Sequence, residues 1–266
     1  MRYPGRLIEA GEADATIVRA LKRRLNAALG TADDPAVRLD PENPHFGPSM
    51  RRIVKLFQSR NVDASGIPLL ADGKVGSLTW GALFGSDTVP HSDSSSSFFL
   101  ELVLAVAAEE EARRVREIPR NSNRGPDVER YLARAGLGPG FAWCCAFVYW
   151  CFDEAASRSE LPNPMVKTAG CLDHWSRALG HGARRLASAD AIGDPGLVQP
   201  GMVFIMDHGR GAGHTGLVET VSGGLVTTIE GNTDASGTRE GGGVYRLRRK
   251  LVTINKGFVD YSPTVP

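Results

Sequence analysis

The chain is poor in cysteine, in net charge and in long apolar runs, and each shortage removes a class of protein. Four cysteines in 266 residues are too few for a disulfide scaffold. All four fall between Cys144 and Cys171, which favours a local site over a staple. Lys and Arg total 31 against 30 Asp and Glu, a formal charge of +1. That balance gives no broad electrostatic footprint for nucleic acid or an anionic membrane. No window approaches the roughly 18 apolar residues of a spanning helix, so neither a nucleic-acid partner nor membrane insertion is expected. Residues Met1–Ala10 lack the apolar core of a secretory signal, and synthesis in the cytoplasm is expected. Hydrophobic content of 42% and charged content of 23% are those of an ordinary globular chain. They exclude a disordered tail, a coiled coil or a collagen-like repeat for the whole.

What is present divides in two. Residues 86–97 read SDTVPHSDSSSS, with six serines in twelve positions; such a stretch cannot bury enough apolar surface to offset its ordering entropy. It reads as a flexible linker. Before it, residues 1–85 carry Ile17, Val18, Leu21, Leu25 and Leu29 at helical spacing, with Arg19, Lys22, Arg23 and Arg24 on the other faces. Ile53, Val54, Leu56 and Phe57 form a second stripe, opened by Pro48 and Ser49. Asp72-Gly73 and Gly76 supply turn chemistry before a third short helix that Ser77 or Thr79 can cap. Three short helices around one small core is the economical reading.

The run Asp72-Gly73-Lys74-Val75-Gly76-x-x-Thr79-Trp80-x-x-Leu83, after an apolar helix ending Leu56-Phe57-Gln58, resembles the peptidoglycan-binding three-helix module. The likeness covers roughly residues 15–85. It departs from the compact form in the insert Thr31–Pro48, and it implies a wall-binding role with Trp80 at the ligand.

After the linker, residues 98–266 open with a helical window, Phe98–Arg116. Asn121–Asp127 (NSNRGPD) is turn-like, and Asp127–Ala135 and Cys144–Ala156 read as further helices. From Gly201 the period changes. Met202–Met206, Thr215–Val221, Leu225–Glu230, Val244–Leu247 and Val252–Val259 are short β-branched runs between glycine-rich turns. Helices followed by an antiparallel meander predict an α+β fold.

The stretch Trp143-Cys144-Cys145-Ala146-Phe147-Val148 places a cysteine at a helix start. There the macrodipole and unpaired backbone N–H groups favour a thiolate and can later hold an oxyanion. Cys144 and Cys145 point about 100° apart, and periodicity does not choose between them. A cysteine nucleophile needs a base. His214, at the head of a strand in Gly213-His214-Thr-Gly-Leu-Val-Glu219, has a rigid support; His208, six residues earlier, reads as a solvent-facing loop residue. The imidazole needs an orienting acceptor. Glu230 and Asn232, two apart on the next strand, project to the same side, and either can serve.

Trp143-Cys144-x-Ala146-Phe147-Val148, then Gly213-His214-x-Gly216-x-Val218 and Glu230-x-Asn232, resemble the signature of the CHAP family, the cysteine, histidine-dependent amidohydrolases and peptidases. The resemblance spans about Asn121–Tyr261 and implies a papain-like domain with Cys144 as nucleophile. Cys145 falls where the family carries a small residue and is left to helix packing. The segment Asn123-Arg124-Gly125-Pro126 is similar to related wall hydrolases. Asn123 or Arg124 can line the cleft there, although Pro126 as a first helical residue with Asp127 nearby explains the segment equally well. Trp143 is placed beside the substrate on the same resemblance. Residues 161–199 match no pattern.

Cys171-x-x-His174 offers one short metal-ligand pair where structural zinc wants two. Calcium-binding members of the family carry aspartates before the nucleophile, and Leu137–Ala142 has none. No metal and no other cofactor is expected. The combined expectation is a peptidoglycan hydrolase, amidase or endopeptidase, acting as a phage lysin (endolysin) or an injected antibacterial effector. Its partner is peptidoglycan, with an immunity protein in the effector case. The rivals are a non-catalytic wall-binding protein with a decayed enzyme fold and a cysteine protease acting on proteins.

Overall fold

The structure, a computed structural model, describes residues 1–31, 34, 37–237 and 241–266. The chain forms two compact units, one of Met1–His91 with the short stretches Ile192–Pro195 and Ser222–Gly224, the other of Ser92–Ala191, Gly196–Val221 and Leu225–Pro266.

The first unit is helical. Asp14 accepts from the backbone N–H groups of Thr16 and Ile17 and starts α1 (Ala15–Leu29), which stops at Gly30 in the left-handed conformation. This is the pairing of an acidic N-cap with a glycine stop that helix ends favour. Helix α2 spans Pro48–Arg60 and α3 spans Ser77–Phe84. Ile17, Val18, Leu21 and Leu25 meet Met50, Val54, Phe57, Trp80 and Leu83 in one core. Three sequence expectations change here. Lys22 lies inside rather than on an outer face, its ammonium donating to the Asn43 carbonyl at 2.6 Å. Helix α3 is capped by Gly76 without a side-chain bond, because Thr79 is turned inward to accept from Gln58 Nε2. Trp80 is fully buried and stacked 4.3 Å from Phe84, so its ring packs the core and presents nothing to a ligand. The Asp-Gly-Lys run is likewise a folding device. Gln58 donates to Asp72 and the Lys74 carbonyl and accepts from the Gly73 N–H.

The second unit layers helices on an antiparallel sheet. Helices α4 (Phe98–Ala112) and α5 (Pro126–Arg134) pack on α6 (Cys144–Ser159). Every residue from Cys144 to Phe152 is buried, as expected of a helix that is apolar all round. A short two-residue strand, β1, lies at His91–Ser92. The sheet runs β2-β7-β3-β4-β5-β6, with β2 at Arg184–Ala187, β3 at Val203–Gly209, β4 at Ala212–Ser222, β5 at Leu225–Thr233, β6 at Gly243–Lys250 and β7 at Gly257–Asp260. The architecture is α+β. The expected strand Val252–Val259 is shorter, because Leu251–Thr253 form a 3₁₀ turn. The patternless segment 161–199 supplies strand β2 and helix α7 (Cys171–Arg177). No helix among the described residues is long and apolar enough to cross a membrane.

Candidate active site

Chain geometry alone brings four groups together. Cys144 is the first residue of α6, after Trp143, so its sulfur lies at the positive end of the helix. Helix α6 packs on β5, and Gly231 makes the approach possible. A Cβ there would stand 2.7 Å from the Trp143 ring and 2.8 Å from Phe147. Strand β4 carries His214, and β5, its neighbour across the Gly223-Gly224 turn, carries Glu230. Gly216 clears the path between them, since a Cβ there would lie 2.7 Å from Glu230 Cγ.

His214 Nε2 and Glu230 Oε2 are 2.7 Å apart, and both side chains are buried. A carboxylate only accepts, so Nε2 carries a proton and donates it to Glu230. Nδ1 is buried without another hydrogen-bond partner and is the ring atom left to face Cys144. Of the two candidate acceptors, Glu230 holds the ring. Asn232 sits buried at φ +57° with its Oδ1 unbonded. His208 lies at the exposed end of β3, and the Cys145 thiol donates to the Thr168 carbonyl.

Charge tunes the set. Burial drives His214 down, but hydrogen bonding to Cys144 and Glu230 outweighs it and lifts the imidazole to about 9. Burial drives Glu230 up, and Arg249 and His214 overcome it and hold the carboxyl below its ordinary range. Contact with Cys171 and burial push the Cys144 thiol up, while His214 draws it down. The protonated imidazolium of His214 is therefore lost as pH rises through about 9. The profile of kcat/KM is expected to have its alkaline limb there, as an apparent value of the coupled Cys-His pair. The raised imidazole also stabilises the fold. Its contribution is complete below the unfolded value of about 6.5 and gone above about 9, so the parent should lose Tm across that interval relative to His214→Ala.

Several participants carried no motif. Arg249 on β6 makes a bidentate pair with Glu230, Nε to Oε1 at 2.5 Å and Nη2 to Oε2 at 2.6 Å. Thr228 donates to the same Oε1. Phe204 underlies both His214 and Arg249. Glu117 accepts from Trp143 Nε1 at 2.8 Å, which fixes the residue before the nucleophile. Trp143 is thus buried packing and not a surface for substrate. Asn123, half-buried at φ +54°, accepts from the Gly140 N–H at 2.9 Å; its carbonyl braces the loop leading to Cys144. The Cys171-x-x-His174 pair does not converge either. His174 Nε2 bonds the Tyr261 hydroxyl at 2.8 Å, and burial pushes this imidazole down to about 4.

Residues 136–232 match the CHAP domain. The matched stretch includes Cys144, His214, Glu230 and Asn232, and it supports a CHAP-family hydrolase acting on peptidoglycan. The N-terminal helical unit lies outside it. No curated protein and no solved structure matches the chain.

Proposed function

We propose that the chain hydrolyses an amide bond of peptidoglycan through Cys144 as nucleophile and His214 as general base and acid. The observation that carries this reading is the bonded series Arg249–Glu230–His214 ending beside a cysteine in the first turn of α6. His214 Nδ1 takes the Cys144 proton as sulfur attacks the amide carbonyl. Backbone N–H groups at the start of α6 face the oxygen that becomes negative. The imidazolium then gives its proton to the departing amine, leaving a thioester. Water, deprotonated by His214, releases the acid and restores the thiol. Glu230 stabilises the imidazolium without taking its proton, and Arg249 keeps Glu230 ionised.

The N-terminal unit, residues 1–85, is the wall-binding module in this proposal. Tethering raises the local concentration of the enzyme on an insoluble substrate without altering its chemistry. Trp80 being buried, its ligand surface is built from other residues. The same hydrolase suits a phage lysin or an injected effector; protection of target cells by a dedicated immunity protein would mark the effector.

Digestion of purified sacculi, with the released fragments identified by mass spectrometry, tests the reading. Free stem peptides would name an amidase, and opened cross-links an endopeptidase. A chain that binds sacculi and releases nothing would instead be a wall-binding protein with a decayed site.

A further inference from the structure

Helix α7 begins with a cysteine whose sulfur lies 3.5 Å from the sulfur of Cys144. Both are free thiols and both are buried, 3% and 5% exposed. We propose that Cys144 and Cys171 form a reversible disulfide that withdraws the nucleophile, making the pair a site of oxidative modification. The consequence for activity rests on the hydrolase reading above; the bond itself does not.

The geometry is specific. A disulfide needs its sulfurs about 2.05 Å apart, so closing the pair takes a movement of roughly 1.5 Å, within reach of side-chain rotation. Gly213, immediately before His214, is what admits Cys171 so close, for a Cβ there would lie 3.0 Å from Cys171 Cβ and 2.9 Å from the Met206 carbonyl oxygen. A space-filling residue at the start of α7 has no need of sulfur, and alanine would pack there without setting a second nucleophile against the first. Cys144 and Cys145 cannot compete by joining each other, being adjacent on a helix and pointing apart. The competitor is Cys145 with Cys171, whose thiols also interact; that link would leave Cys144 free.

The chemistry balances with a small disulfide as oxidant. A Cys144 thiolate attacks one sulfur of the reagent, the reagent's S–S bond breaks, and one thiol leaves. The Cys171 thiolate then attacks the Cys144 sulfur and expels the second. Two cysteines are oxidised, the reagent takes two electrons, and both thiol protons end on the departing thiols. Cys144 has to meet a substrate carbonyl in the proposed reaction, so a reagent of similar size reaches it.

The test treats the full chain with bis(hydroxyethyl) disulfide, then blocks free thiols and maps the products by mass spectrometry. The parent should lose the mass of two hydrogens and yield a peptide linking Cys144 to Cys171. Its hydrolysis of sacculi should fall more than about tenfold and return with dithiothreitol, because the attacking sulfur is tied up. Cys171→Ser should form no internal link and should accumulate the mixed disulfide on Cys144. A Cys145–Cys171 link in the parent, or a lasting mixed disulfide on Cys144 beside a free Cys171, would overturn the proposal. A parent that forms the link but never hydrolyses sacculi would sink the hydrolase reading and leave the disulfide standing.

Discussion

Alanine at Cys144 should reduce hydrolysis of sacculi about 10⁴-fold or more, and alanine at His214 should cost nearly the same. A loss of that size is about 5 kcal/mol of barrier, the scale expected when a nucleophile or its base is removed. The two substitutions should not add. Without the base, the buried thiol stays protonated, because contact with Cys171 and burial already hold it up and His214 is what draws it down. Without the thiol, the base has nothing to activate. Groups that act as a unit behave in this way, so the double variant should fall no more than a few-fold below either single one. Alkylation separates the roles: iodoacetamide labelling of Cys144 at neutral pH should slow in His214→Ala and stay unchanged in His208→Ala. Equal slowing in both would move the base away from His214.

The candidate site is legible in the chain wherever its geometry is local. Cys144 announces itself because a helix start dictates what its first residue faces. His214 and Glu230 can be paired because a two-glycine turn at Gly223-Gly224 fixes which strands are neighbours. Arg249 could not be placed in the same way. It reaches Glu230 from β6, opposite Val226 in register, and within Arg246-Leu-Arg-Arg-Lys250 nothing marks which cation turns inward. Cys171 comes from a segment without periodicity, and its position depends on α7 packing against β3, a long-range contact. Trp143 and Trp80 show the opposite error. An aromatic beside a motif has the same letters whether it faces ligand or core, and both are fully buried. The motif around Asp72 is bound to Gln58, a contact from another helix that the letters of the motif do not announce.

Glu230→Gln is expected to damage stability and turnover together. Glu230 accepts from Arg249, His214 and Thr228 while wholly buried. An amide keeps the shape but loses the charge, leaving the Arg249 guanidinium, whose side chain is 11% exposed, without its counter-ion. Breaking one side of such a pair typically costs about 3–5 kcal/mol, and the lower part of that range applies because Arg249 retains some water and the Gly237 carbonyl. The same change removes part of what lifts His214, the other part being Cys144, so the alkaline limb of kcat/KM should shift below about 9. Arg249→Met separates the two effects. It leaves Glu230 buried and charged with only His214 and Thr228 to satisfy it, so it should lower Tm while His214 keeps its carboxylate partner. Combining Glu230→Gln with Arg249→Met removes both charges and should recover part of the lost Tm, as replacement of buried pairs by uncharged groups often does. Turnover should not recover with it, since the ring at His214 still lacks its charged carboxylate partner. Recovery of both would mean that Glu230 serves the fold alone and that the imidazole is oriented by another group.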